Sequence, residues 1–87
     1  MTKEYNKHDW ELAARNLLKG ELARQGIEYY QLSERLTEMG IPNVSTENIR
    51  NKINRGTFSA AFLLQALLAI RSEQVDIKSL PLRKMLT

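Results

Sequence analysis

Val44-Ser45-Thr46-Glu47-Asn48-Ile49-Arg50-Asn51-Lys52-Ile53-Asn54-Arg55-Gly56 is the stretch whose reading decides the fold. It reads as a short helix with both ends written locally. Ser45 is placed to cap the free backbone N–H groups, and Val44 and Ile49 have the spacing of a hydrophobic staple. Gly56 is suited to close the helix in a left-handed conformation. Ile49 and Ile53, one turn apart, are expected to point inward, which at about 100° per residue sets Asn51 opposite them. Glu47, Asn48, Asn54 and Arg55 fall beside Asn51, with Arg50 and Lys52 at the two edges. A helix in a DNA major groove needs this layout, with amide and acid groups toward base edges and cations toward phosphates. The plain alternative is an ordinary solvated helix face. Asn is a mediocre helix former, so Asn48, Asn51 and Asn54 on one short helix point to a use other than folding.

Working outward toward the N-terminus, Gly40-Ile41-Pro42-Asn43 is a loop, because Pro42 does not continue a helix. Before it, Tyr29 to Met39 forms a helix with Leu32, Leu36 and Met39 as its inward stripe. Further back, from Asp9, the residues Trp10, Ala14, Leu17, Leu18 and Leu22 recur at helical spacing, while Glu11, Arg15, Lys19 and Arg24 take the polar side. Gly20 inside that run is unfavourable by about 1 kcal/mol relative to Ala, so a close helix contact is expected there. Gly26 is the expected C-cap.

Toward the C-terminus, Phe58 and Leu63 are spaced as a second staple around a Ser59 cap. Ala60 to Ile70 then forms a helix that is apolar nearly all the way round. Such a helix is either central to the core or covered by another copy of the chain. Both are expected, with Leu64, Leu67 and Leu68 as the surface of a homodimer or of another protein partner. A short helix around Asp76 to Leu80 and a basic tail with Arg83 and Lys84 complete the chain. The organisation is an arm over residues 1–8, a helical domain over 9–80 and a tail over 81–87. No repeat or strand-like alternation occurs, so the class is all-α, a compact bundle of four to five helices.

At 87 residues the chain supports one domain with little room for a separate catalytic pocket. It has no cysteine, which suits a reducing cytoplasm and excludes disulfide and thiolate chemistry. The N-terminus lacks the apolar run of a signal peptide, and the Ala60 to Ile70 segment is too short to span a bilayer. The net charge of +3 is unevenly spread: residues 1–43 carry six Lys and Arg against seven Asp and Glu, and residues 44–87 carry seven against three. Positive charge thus accumulates from the proposed reading helix onward, as on an anion-facing side. His8, the single histidine, has no nucleophile or second ligand at a useful spacing, and no phosphate loop, metal cluster or carboxylate pair is present. No enzymatic activity, cofactor or metal is therefore expected. Trp10, Tyr29, Tyr30, Phe58 and Phe62 are read as packing residues.

The segment from about Trp10 to Ile70 resembles the helix-turn-helix domain of lambda-repressor and Cro-type regulators. Gly26-Ile27-Glu28-Tyr29-Tyr30-Gln31-Leu32-Ser33-Glu34-Arg35-Leu36 is similar to that family's second helix, and Ile53-Asn54-Arg55-Gly56 to the close of its recognition helix. Leu17-Leu18-Lys19-Gly20-Glu21-Leu22-Ala23 with the run from Asn48 to Phe62 resembles, more closely, a set of small bacterial and phage proteins known only as an uncharacterised domain. The repressor resemblance implies that the second helix crosses the phosphate backbone while the third enters the major groove. Tyr29 stands where that family often has a phosphate-contacting Gln, and Glu28 where it usually has a Ser or Thr cap. Eight residues separate Leu36 from Ser45, more than the family's compact turn uses.

These readings together predict a small transcription regulator that binds double-stranded DNA. Asn51 is expected to bond an adenine edge and Glu47 a cytosine amino group, with Asn48, Asn54 and Arg55 reaching further bases. Tyr29, Gln31, Arg50 and Lys52 are the expected backbone contacts. The alternative is a protein-interaction module, or an antitoxin-like adaptor, on the same scaffold.

Overall fold

The computed structural model describes residues 5–72, 74 and 75. Four helices follow in order, α1 (Lys7–Gln25), α2 (Tyr29–Glu38), α3 (Thr46–Arg55) and α4 (Ala60–Ala69), and no strand occurs among the described residues. The expected short helix around Asp76 to Leu80, the basic tail and residues 1–4 of the expected arm lie outside the described residues.

α1 begins two residues before the expected start at Asp9. Asn6 is the cap: its Oδ1 accepts from the Asp9 N–H at 2.9 Å, and Asp9 Oδ2 accepts from the Asn6 N–H at 3.0 Å. This reciprocal pairing satisfies two main-chain donors and draws Lys7 and His8, expected in the arm, into the helix. α4 ends at Ala69 with Ile70 as its cap, one residue short of the expected end.

The core forms where the four helices meet. Leu18 and Leu22 of α1, Leu32 and Leu36 of α2, Ile49 and Ile53 of α3 and Phe62, Ala66 and Ala69 of α4 join Val44 and Ile70 in one cluster. α1 packs on α3 and α4, and α2 packs on the same two helices. α3 is therefore held from two sides.

The inward faces differ from the expected stripes at several positions. Trp10 is 55% exposed, and Ala13 rather than Ala14 is buried, so the buried side of α1 is rotated from the expected stripe. α1 carries apolar residues around much of its circumference, and the buried side is set by what meets it. Met39, the expected third member of the α2 stripe, is exposed because α2 ends before it and the chain turns away through Gly40 at φ +83°. Tyr30 is also half-exposed rather than packed. Gly20 makes no close contact, since a Cβ there would meet open space.

Long-range hydrogen bonds fix the connections. Ser33 Oγ donates to the Val44 carbonyl at 2.6 Å, tying α2 to the residue before the α3 cap. Arg35 Nη1 donates to the Ala69 carbonyl at 3.2 Å, satisfying an acceptor at the end of α4 that has no partner within the helix. Arg71 then turns the chain in a left-handed conformation, φ +57°, and Ser72 Oγ donates to Glu21 Oε1 at 2.6 Å. Glu21, buried in α1, is also paired with Arg24. The end of α4 is thereby latched to α1.

Candidate nucleic-acid interface

α3 is built as its local sequence dictates. Ser45 Oγ accepts from the Asn48 N–H at 3.2 Å, a cap worth about 1 kcal/mol, and Gly56 closes the helix at φ +70°. Val44 and Ile49 are both buried, as the staple spacing requires. Ile49 is 1% and Ile53 0% exposed. Burial of each contributes about 2 kcal/mol, enough to settle which way the helix faces.

The five expected base-reading residues, Glu47, Asn48, Asn51, Asn54 and Arg55, are all exposed. They are not equally free. Asn48 Nδ2 reaches back to the Asn43 carbonyl at 3.4 Å, where Asn43 itself is left-handed at φ +58°. Asn54 Oδ1 accepts from Lys19 Nζ at 3.3 Å, which draws it toward α1. Asn51 and Arg55 share an open polar hollow of about 480 Å³ with Asn48, Lys52, Thr57 and Ser59. This hollow joins the outer face of α3 to the start of α4, where Ser59 Oγ caps the Phe62 N–H at 3.0 Å.

The four expected backbone contacts divide into two groups. Arg50 and Tyr29 are brought together, with the guanidinium carbon 5.9 Å from the ring centroid. Lys52 instead lies half-buried with Nζ 4.8 Å from the centre of the Phe62 ring, a cation-π contact that binds α3 to α4. Gln31 spends its side-chain oxygen on the Glu28 N–H at 2.8 Å, as the N3 member of a capping box at the start of α2. Lys19 and the hydroxyls of Thr57 and Ser59 join the face without having been expected. Lys19 is 35 residues from its partner Asn54, so no local pattern marks it.

The expected partner surface of α4 is also split. Leu64 and Leu68 are 67% and 68% exposed and stand one turn apart, whereas Leu67 is half-buried against the core. Leu68 borders a second hollow at the ends of α2 and α4, shared with Met39, Arg35, Glu38 and Arg71. No helix among the described residues is long and apolar enough to cross a membrane.

No curated protein and no solved structure matches the chain. Residues 10–75, which include nearly all of α1 and the whole of α2, α3 and α4, match a family described as a domain of unknown function (DUF6471), and the protein belongs to that family.

Proposed function

We propose that the protein binds double-stranded DNA, with α3 laid in the major groove, and acts as a small transcription regulator of the lambda-repressor helix-turn-helix type. The observation that carries this reading is the division of α3 into two faces. Ile49 and Ile53 hold it to the body of the molecule, while Glu47, Asn51 and Arg55 stand outward beside further amide groups. Within this reading Asn51 and Arg55 are the leading base contacts, Glu47 adds a carboxylate acceptor, and Asn48 and Asn54 reach bases by releasing their own weak partners. Arg50 with Tyr29 forms one backbone clamp, and Gln31 and Lys52 extend it through the groups their internal contacts leave over.

Gel shifts with a randomised duplex pool, at low and moderate salt, with the bound fraction recovered and sequenced, test the proposal. Enrichment of particular sequences that survives moderate salt supports it. Binding that disappears with salt and enriches nothing reduces the face to charge attraction.

A second reading is favoured by Leu64 and Leu68, two large apolar side chains left largely outside the core. They suit a two-fold homodimer or the docking of another protein on the same scaffold. In the adaptor form of this reading the α3 face is a solvated surface, and the duplex pool enriches no sequence.

A further inference from the structure

We infer that the hollow between the end of α1, the start of α2 and the first half of α3 is a binding site for a small aromatic anion, a planar apolar body carrying a carboxylate. The hollow is an open groove of about 430 Å³, a volume within the range of small-molecule sites. Its chemistry differs from that of the polar hollow on the other flank of α3. Leu22, Ala23 and Ile27 give it an apolar floor, and Tyr29 and Tyr30 stand beside that floor. Tyr30 is half-exposed, so a planar body laid on the floor also covers apolar surface of that side chain.

Charge then selects the ligand. Lys19 and Arg50 line the hollow against one carboxylate, Glu28. The Arg50 guanidinium lies over Tyr29, 5.9 Å from the ring centroid, so the cation and the aromatic wall are already side by side. A carboxylate on the rim of a planar ligand can take the free edge of that guanidinium with two parallel hydrogen bonds. Lys19, held by Asn54 at 3.3 Å, adds positive potential from the α1 side. A neutral body would leave this excess charge unused, and a cationic one would oppose it.

The site stands on its own geometry. One consequence rests on the DNA reading: Arg50 and Tyr29 are also assigned to the phosphate backbone, so ligand and duplex compete for them. The chain would then release DNA in response to an aromatic acid.

The test uses 1-naphthoate as probe, titrated into the full chain while backbone amide signals are followed by NMR. Saturable shifts at Ala23, Ile27, Tyr29, Tyr30 and Arg50 are expected. 1-Naphthamide, with the same rings and no charge, is expected to bind about tenfold more weakly, and Arg50→Gln to lose about the same factor for naphthoate. Tyr30→Ala, outside the proposed DNA contacts, is expected to weaken the probe while leaving duplex affinity unchanged. An unaltered amide spectrum away from the substituted position checks that each variant is folded. Absence of saturation at millimolar probe, equal binding of the amide, or shifts centred on Leu64 and Leu68 would overturn the site. Naphthoate binding by a chain that selects no duplex upholds the site and defeats the proposed function. Displacement of a selected duplex by naphthoate upholds both.

Discussion

Gly56 lies directly against the main-chain carbonyl of Glu11, and a Cβ on Gly56 would come within 2.8 Å of the Glu11 carbonyl carbon. The closing residue of α3 is therefore also the point where α3 meets the first turns of α1. Two demands coincide there, a left-handed φ of +70° and the absence of a side chain. Gly56→Ala is expected to lower stability by about 2–4 kcal/mol, through backbone strain and the forced separation of the two helices. Gly20→Ala, at an exposed helical position with open space around it, is expected to raise stability by about 0.5–1 kcal/mol. Urea unfolding of both variants measures the pair, and equal effects would show that the Gly56 contact is not close.

How much of this was legible in the sequence divides along the range of the interaction. Ser45, Ile49, Ile53 and Gly56 act within a few residues of one another, and the cap, the buried face and the stop of α3 all stand where their spacing put them. The same holds for Ser59 and for Gly26. The buried side of α1 was not legible, because a helix apolar around much of its surface is oriented by its neighbours, here α3 and α4. Trp10 consequently lies outside the core. Within the candidate site, exposure of Asn51 and Arg55 followed from the isoleucines. The tethering of Asn54 by Lys19, of Lys52 by Phe62 and of Gln31 by the Glu28 N–H did not. The first two join different helices, and the third depended on recognising Gln31 as a cap rather than a surface amide.

The bond from Ser33 Oγ to the Val44 carbonyl, 2.6 Å long, spans the turn that leads into α3. The connection from α2 to α3 is thereby tied back to α2 just before the α3 cap. Ser33→Ala is expected to cost about 1 kcal/mol of stability. Hydrogen exchange is expected to rise locally at residues 40–45 by more than it does in α4. A uniform rise would mean that the bond does not govern the turn.

The outward residues of α3 separate by what they do to salt dependence. Asn51→Ala is expected to weaken binding to a selected duplex by about 1–3 kcal/mol and to relax preference at one base position, with the salt slope unchanged. Arg55→Ala, which removes the second leading base contact, is expected to cost about 1–3 kcal/mol and to relax preference at a different base position. Lys52→Ala, at an expected phosphate contact, is expected to weaken all sequences alike and to lower the salt slope by about 0.9; since its ammonium lies on Phe62, stability is expected to fall by about 0.5–1 kcal/mol as well. Binding by all three variants equal to that of the parent at every salt concentration would remove the DNA assignment.

Leu64 and Leu68 stand one turn apart with about two-thirds of each residue exposed, and Leu68 borders the hollow that holds Glu38 and Arg71. Neither side chain supports the monomer's core, so charge placed there should act on association alone. Leu64→Lys with Leu68→Lys is expected to leave the urea midpoint of the monomer within about 0.5 kcal/mol of the parent. In sedimentation equilibrium the parent is expected to self-associate and the double variant to remain monomeric, since two opposed pairs of ammonium groups would replace an apolar contact. If the duplex-binding form is a two-fold dimer, the same substitutions weaken binding to a site with two half-sites far more than to one half-site. A parent that stays monomeric at high concentration would transfer these leucines to a heterologous partner, and equal loss on both DNA sites would place them outside any dimer contact that matters for binding.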